Sequence, residues 1–248
     1  MRLLGIDVGG TGIKGALVET KTGELLTPRH RLLTPEGAKP KAVAVVVGEV
    51  VQHFNWKGPV GVGFPAVIIN GVAFSAANVS KRWIGTNAET LFAEATKCPV
   101  RVINDADAAG LAEMRYGVGR RQPGTVLVIT IGTGLGSALF RNGQLIPNTE
   151  FGHIEMNCGD AEKQASEAVR MRENLSWKEW STRFNEYLQT LEFLIHPDLI
   201  ILGGGASKES EKFVSRLSVR ANILPAAMLN EAGIVGAALA AEELVEKA

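Results

Sequence analysis

The sequence predicts an α/β protein built as two lobes with a central cleft. β-branched apolar runs alternate with helical patterns along the chain, which is typical of α/β proteins. In addition, DVGGTGIKGAL (7–17) aligns with TIGTGLGSAL (130–139) with a single gap, so a strand, Gly turn and strand occur twice. Similar units about half a chain apart indicate two similar lobes.

The smaller, N-terminal lobe is predicted at 1–104. Its strands alternate with two helices, and Asn104 follows the last strand. In chain order the predicted elements are strands at 3–8 and 13–19, a third strand from the turn at 22–24 to about 33, a helix at 39–54, a strand at 60–64, a helix at 87–96 and a strand at 100–103.

The larger, C-terminal lobe is predicted at 105–232. Ser176 and Glu179 form a capping box that opens a long helix, and Gly203 to Gly205 follow the last strand. A closing helix at about 233–248 can pack back on the first lobe. The predicted elements are a helix at 106–116, strands at 126–131 and 137–141, a helix from 176 to about 195 and a strand at 198–202.

Composition excludes several classes of protein. The 248 residues carry 26 Lys and Arg against 26 Asp and Glu, so no excess of positive charge favours nucleic acid as a partner. The longest apolar stretch, 42–51, is too short to span a bilayer. The two cysteines, Cys98 and Cys158, are too few for a disulfide framework. We therefore expect a cytoplasmic protein with no membrane or nucleic-acid partner.

The first Gly turn fits the spacing of a dinucleotide-binding loop but not its context. Gly10, Gly12 and Gly15 match G-x-G-x-x-G, yet a strand follows Gly15 where a helix is needed. No glycine directly precedes Lys14, as a Walker loop would require. Backbone N–H groups in a Gly turn can still hold phosphate. Either turn alone fits an ordinary hairpin, but two such turns favour a phosphate ligand.

Three segments carry a resemblance to a known family. DVGGT, NDADAAGLAE and EFGH, in this order, resemble the ROK (repressor, open reading frame, kinase) family of sugar kinases, and the likeness covers nearly the whole chain. The resemblance implies the two-lobed, actin-like ATPase (ribonuclease H-like) fold. Within the family, the segments FPAVI, AANVSKRWIGT, PNTEFGHIE, DAEKQAS, LGGGASK and NEAGIVGAAL are most similar to members that use inorganic polyphosphate. This closer likeness implies phosphoryl transfer from polyphosphate to the 6-hydroxyl of glucose, and it leaves ATP open as a second donor. The expected product is glucose 6-phosphate.

The resemblance assigns a role to each motif position. Asp105 would be the catalytic base for the sugar hydroxyl, although an Asp between a strand and a helix is also a common helix cap. The sugar-binding residues implied are Asn78, Asn104, Asp105, Glu150, His153 and Glu162. The phosphate-binding residues implied are Gly9, Gly10, Thr11, Gly12, Lys14, Gly132, Thr133 and Gly134.

The expected cofactor is Mg²⁺, held by Asp7 directly or through water. Many family members also carry a zinc site with three cysteines, but this chain offers only Cys158 in that region. We therefore expect no zinc site. The family further implies a homodimer. A basic track for polyphosphate is one interpretation of dispersed cations at Lys14, Lys81, Arg82, Arg115, Arg120 and Arg121.

Other functions remain open at this stage. An ATP-dependent kinase for glucose, mannose or an N-acetylhexosamine would use the same motifs. A sugar-responsive repressor is disfavoured because the chain starts at the first strand, with no DNA-binding module before it. A filament or a non-catalytic sugar sensor would not need Asp105.

Overall fold

The computed structural model describes residues 1–156 and 159–246, which form a mixed α/β structure. Cys158, on which the zinc expectation depends, and residues 247–248 of the predicted closing helix lie outside the described residues. In the described ranges, no helix combines the length and apolar character needed to cross a membrane.

The elements are numbered in chain order. The strands are β1 (Arg2–Val8), β2 (Ile13–Glu19), β3 (Glu24–Leu25), β4 (His30–Leu32), β5 (Val60–Phe64), β6 (Ile68–Ile69), β7 (Val72–Ala73), β8 (Val100–Asn104), β9 (Thr125–Ile131), β10 (Leu135–Arg141), β11 (Gln144–Ile146), β12 (Glu155–Met156), β13 (Gly159–Asp160), β14 (Leu199–Gly204) and β15 (Asn222–Pro225). The α-helices are α1 (Pro40–His53), α2 (Ala88–Thr96), α3 (Asp105–Arg115), α4 (Glu162–Ala165), α5 (Glu167–Arg172), α6 (Trp177–Ile195), α7 (Ala232–Ala240) and α8 (Glu242–Glu246). Short 3₁₀ turns lie at Glu36–Ala38, Lys81–Trp83, Phe151–His153, Ala206–Lys212, Val214–Arg216 and Leu229–Glu231.

The chain divides into two compact units. The first comprises Met1–Ala112 and Glu231–Ala248, and the second comprises Glu113–Asn230. In the first unit the sheet order is β3-β2-β1-β5-β8, with β4 also pairing with β2. β1 and β2 are antiparallel, whereas β5 and β8 run parallel to β1.

Helix α7 packs on β1 and β5 of this sheet through glycines. A Cβ atom at Gly5 would lie 2.0 Å from the carbonyl oxygen of Ile234, and one at Gly61 would lie 1.7 Å from that of Ala237. Only glycine allows so close an approach of helix and strand backbones. Helix α1 covers the opposite face, where Val50 contacts Gly15.

The sheet of the second unit repeats this pattern, with order β11-β10-β9-β14-β15. Its β9–β10 hairpin is antiparallel and β14 runs parallel to β9. Val8 pairs with Ile13 across the first turn and Ile131 with Leu135 across the second. The second turn is therefore one residue shorter, which accounts for the single gap in the sequence alignment. The predicted repeat of a strand, a Gly turn and a strand is confirmed as two equivalent hairpins.

Helix α6 supplies much of the core of the second unit. Its N-terminus carries the predicted capping box of Ser176 and Glu179. Trp180, Phe184 and Leu188 are buried along one face of the helix. The ring of Phe213 packs edge-on against the rings of Trp180 and Phe184. This apolar face of α6 is therefore part of the core.

The third strand is shorter than expected. The sequence predicts continuous strand to about residue 33, but β3 and β4 pair with β2 as two separate pieces. Between them, the backbone N–H of Leu17 donates to the Thr27 side-chain oxygen, at 3.1 Å. Pro28 follows and has no N–H to donate to a ladder. The side chain of Thr27 thus replaces a ladder bond where the strand is broken.

Candidate active site

The first Gly turn lies between an aspartate and a lysine. Asp7 on β1 is the register partner of Lys14 on β2, and Nζ of Lys14 lies 3.8 Å from Oδ2 of Asp7. Gly233, in the first turn of α7, lies against the Asp7 carboxyl group, where a Cβ atom would be 3.0 Å from Cγ. Burial raises the pKa of Asp7, and the attraction of Lys14 partly offsets this rise.

The turn itself is held by backbone and side-chain bonds. The N–H of Gly9 donates to the oxygen of Gly12 at 3.0 Å, and the Thr34 hydroxyl donates to the oxygen of Gly9 at 2.5 Å. A Cβ atom at Gly10 would meet no atom within 4 Å. The turn is thus fixed at its ends and open at Gly10, as the approach of a phosphate group requires.

Arg31 also contacts this turn, and the sequence prediction missed it. Its Nη2 donates to the carbonyl oxygen of Thr11 at 3.0 Å, and its guanidinium group lies against Gly12. Arg31 is paired with Lys14 across β2 and β4. No local motif marks Arg31, because it reaches the turn only through the pairing of the two strands.

The donor set around Asp7 fits Mg²⁺ only if phosphate oxygens complete it. Mg²⁺ usually binds one or two carboxylates together with water and substrate phosphates. Among the described residues, no group of three or more His, Cys, Asp or Glu side chains could hold a metal ion. A single half-buried carboxylate beside an open Gly turn meets this requirement for an ion that arrives with a phosphate chain.

Asn104 and Asp105 join β8 to α3. The side-chain oxygen of Asn104 accepts from the N–H groups of Ala106 and Asp107, at 2.9 and 3.1 Å, and its amide nitrogen donates to the oxygen of Ala66 at 3.2 Å. Asn104 is buried and caps the helix. Oδ1 of Asp105 accepts from the adjacent N–H of Ala106, at 2.9 Å. Asn104 thus supplies the side-chain oxygen that caps the N–H groups of Ala106 and Asp107 at the start of α3.

In the second unit the structure brings Glu150, His153 and Glu162 together, with Asp160 as a fourth member. Nδ1 of His153 donates to Oδ2 of Asp160 at 3.0 Å, and Nε2 lies 3.8 Å from Oε2 of Glu150. The N–H of Glu162 donates to Oδ1 of Asp160 at 2.9 Å. Asp160 was not predicted, although it begins the segment DAEKQAS (160–166) that contains Glu162. We call these four residues the acidic–histidine cluster.

Burial and charge shift the pKa values within the cluster. Burial raises the pKa of Glu150, His153 lowers it and Glu162 raises it further. Burial lowers the pKa of His153, but the Asp160 hydrogen bond and the charges of Glu162, Asp160 and Glu150 together raise it above its ordinary value. The cluster therefore presents carboxylate acceptors beside an imidazole that is readily protonated.

The second Gly turn is joined to this cluster. Oε2 of Glu162 accepts from the N–H of Leu135, directly after the turn, at 3.0 Å. The N–H of Gly132 donates to the oxygen of Gly134 at 3.0 Å, Gly132 is open to approach and Thr133 is exposed. Asn78, by contrast, is exposed in the first unit, and no bond links it to Asn104 in the described ranges.

Comparison with known proteins places the chain in a family. A model of the ROK family matches residues 3–171. The chain belongs to the ROK family. Over 237 residues, 95% of this chain and 89% of the relative, it is 51% identical to the polyphosphate glucokinase of Mycobacterium tuberculosis. It is 46% identical to that of Mycobacterium leprae over 96% of this chain and 74% of the relative.

A solved ROK-type structure matches over the whole chain. The inorganic polyphosphate/ATP-glucomannokinase from Arthrobacter sp. strain KM superposes with a TM-score of 0.94 and 48% identity, covering 100% of this chain and 99% of that one. This similarity gives the chain the actin-like ATPase fold of ROK sugar kinases. The fold class predicted from the sequence is confirmed.

Proposed function

We propose that this protein is a kinase that transfers a phosphoryl group from inorganic polyphosphate, and also from ATP, to the 6-hydroxyl of glucose. The relatives named polyphosphate glucokinase and the polyphosphate/ATP-glucomannokinase structure support this activity, since the similarity spans nearly all of this chain. The product is glucose 6-phosphate.

The observation that carries the proposal is the bond between Glu162 and Leu135. It ties a cluster of carboxylates and one imidazole directly to a Gly turn. Carboxylate and imidazole groups suit the paired donors and acceptors of a sugar, whereas an open Gly turn suits phosphate. A sugar kinase needs both, and an ordinary hairpin needs neither.

In this proposal each predicted residue has one role. Asp105 accepts the proton of the attacking 6-hydroxyl. Asn104 binds the sugar beside Asp105, and its cap of α3 holds Asp105 in position. Glu150, His153 and Glu162 bind sugar hydroxyls, and Asn78 contributes from its exposed segment. Gly9, Gly10, Thr11, Gly12 and Lys14 hold donor phosphates, as do Gly132, Thr133 and Gly134.

Asp7 would hold Mg²⁺, which supplies neutralisation of charge on the donor phosphates. Nζ of Lys14 lies 3.8 Å from Oδ2 of that carboxylate. The homodimer, the cytoplasmic location and the absence of zinc remain predictions from the sequence.

The test is a product assay with parallel donors. Purified protein, glucose and Mg²⁺ are incubated with nucleotide-free polyphosphate, ATP or GTP, and glucose 6-phosphate is measured. We expect product with polyphosphate and with ATP. Mannose replaces glucose in a matched arm, because the similar Arthrobacter protein is named a glucomannokinase. Absence of product with every donor would overturn the proposal, and product from ATP alone would overturn its donor assignment.

A further inference from the structure

Three charged side chains form a row across neighbouring strands at the first Gly turn. Asp7 on β1 pairs in register with Lys14 on β2, and Lys14 pairs with Arg31 on β4. Directly opposed residues of a sheet point to the same face. Exposure to solvent increases along the row. The side chain of Asp7 is 21% exposed and that of Lys14 is 33% exposed, and Arg31 is an exposed residue.

The guanidinium group of Arg31 is fixed in place on the turn. Nη2 donates to the Thr11 oxygen at 3.0 Å, and a Cβ atom at Gly12 would lie 2.6 Å from Nε. Glycine at position 12 is therefore what lets the guanidinium approach. Arginine has five N–H donors, and within the described residues only the bond to Thr11 uses one. Over the same ranges no carboxylate forms an ion pair with Arg31.

We propose that Arg31 binds the phosphate chain of the donor and favours inorganic polyphosphate over ATP. This rests on the proposed function. Arginine matches phosphate oxygens with paired N–H groups. Polyphosphate carries negative charge along its whole length, whereas ATP continues into a neutral nucleoside after its third phosphate. A cation beyond Lys14 therefore stabilises bound polyphosphate more than bound ATP.

The alternative is that Arg31 only braces the turn through Thr11. Three variants separate the two roles. Arg31→Gln removes the charge, Arg31→Lys keeps a charge without the guanidinium geometry, and Arg2→Gln removes an exposed arginine at the opposite end of β1. KM for polyphosphate and for ATP is measured for each variant over a range of salt concentrations, together with the thermal unfolding midpoint.

For Arg31→Gln we expect KM for polyphosphate to rise about tenfold and KM for ATP to rise less than about threefold, as loss of one charge-assisted bond predicts. The slope of log KM for polyphosphate against log salt should fall by about one, since one phosphate contact is lost. Arg31→Lys should recover the wild-type slope, and Arg2→Gln should match wild type throughout.

Two results would overturn the inference. One is an equal rise in KM for both donors with an unchanged salt slope, which is the signature of a brace. The other is an Arg31→Gln enzyme that behaves like Arg2→Gln. Both presuppose wild-type turnover with polyphosphate, so they are distinct from failure of the proposed function, in which wild type itself is inactive. If Arg31→Gln does not fold, Arg31→Lys still tests the inference. A weaker dependence of its polyphosphate KM on salt than that of wild type would contradict the inference.

Discussion

Glu162 accepts a hydrogen bond from the backbone N–H of Leu135, at 3.0 Å. Leu135 begins β10 directly after the second Gly turn, and Glu162 begins α4. The Glu162 carboxylate is therefore a member of the acidic–histidine cluster and also supports the second Gly turn, to which phosphate binding is assigned. A change at Glu162 should thus affect two substrates, whereas a change at Glu150 should affect one.

The Glu162→Ala variant is expected to raise KM for glucose and KM for the phosphoryl donor, each about tenfold, because a charge-assisted bond is lost on both sides. Glu150→Ala is the matched control and should raise KM for glucose alone. Steady-state kinetics with each substrate varied in turn measures both effects. A Glu162→Ala enzyme with an unchanged donor KM would show that the Leu135 bond does not support the turn.

The raised pKa of His153 predicts how stability depends on pH. Its ordinary value is 6.5, and the interactions with Asp160, Glu162 and Glu150 raise it in the folded protein. The folded state therefore binds this proton more tightly, so the stabilisation is complete below pH 6.5 and is lost as pH rises through the folded-state pKa. The free energy of unfolding of wild type minus that of His153→Gln should accordingly decrease as pH rises from 6.5 through the folded-state pKa.

Urea unfolding of both proteins across this range measures the difference. Subtracting the variant removes the contributions of titrating groups that do not interact with His153. A difference that stays constant with pH, or that grows as pH rises, would contradict the assigned shift.

Close packing of α7 on the first sheet makes Gly61 intolerant of any side chain. A Cβ atom there would lie 1.7 Å from the backbone oxygen of Ala237, so the helix must move. Gly61→Ala should lower the free energy of unfolding by about 3 kcal/mol, the upper range for overpacked cores. Gly10→Ala is the stability control, since a Cβ atom there meets nothing within 4 Å. Equal unfolding curves for the two variants would refute this packing.

Asn104 and Asn78 should separate stability from sugar binding. Asn104→Ala removes the cap of α3 and the bond to Ala66, and should cost about 1–2 kcal/mol of unfolding free energy as well as raising KM for glucose. Asn78 is exposed, so Asn78→Ala should leave stability within about 0.5 kcal/mol and change only KM for glucose. Denaturant unfolding and glucose kinetics measure the two effects. Loss of stability in Asn78→Ala, or none in Asn104→Ala, would contradict these placements.

The sequence predicted the regular elements well, because apolar periodicity and capping residues act locally. The capping box of Ser176 and Glu179 placed the start of α6, and the run at 60–64 coincides with β5. The break between β3 and β4 was missed, because it depends on the Thr27 side chain bonding to the opposite strand. The closing helix is likewise divided, with α7 ending at Ala240 and α8 starting at Glu242.

Sequence motifs mark three residues of the acidic–histidine cluster, whereas residues that join the two sites only through tertiary contacts carry no such mark. The EFGH and DAEKQAS segments supplied Glu150, His153 and Glu162, which the structure brings together. Asp160 and Arg31 were missed, since each is defined by a partner distant in sequence: His153 for the first and Thr11 for the second. The capping role of Asn104 was also missed, because strand–helix junctions offer two adjacent candidates.

The most direct test of the account is the Asp105→Asn variant with polyphosphate as sole donor. We predict that wild type forms glucose 6-phosphate, and that kcat of the variant falls by about 10²–10⁴-fold because the sugar hydroxyl loses its base. Glucose binding, measured by calorimetry, should stay within about threefold, since the amide still accepts and donates hydrogen bonds. Turnover of Asp105→Asn at the wild-type rate, or a wild-type protein that makes no glucose 6-phosphate from polyphosphate, would contradict the account.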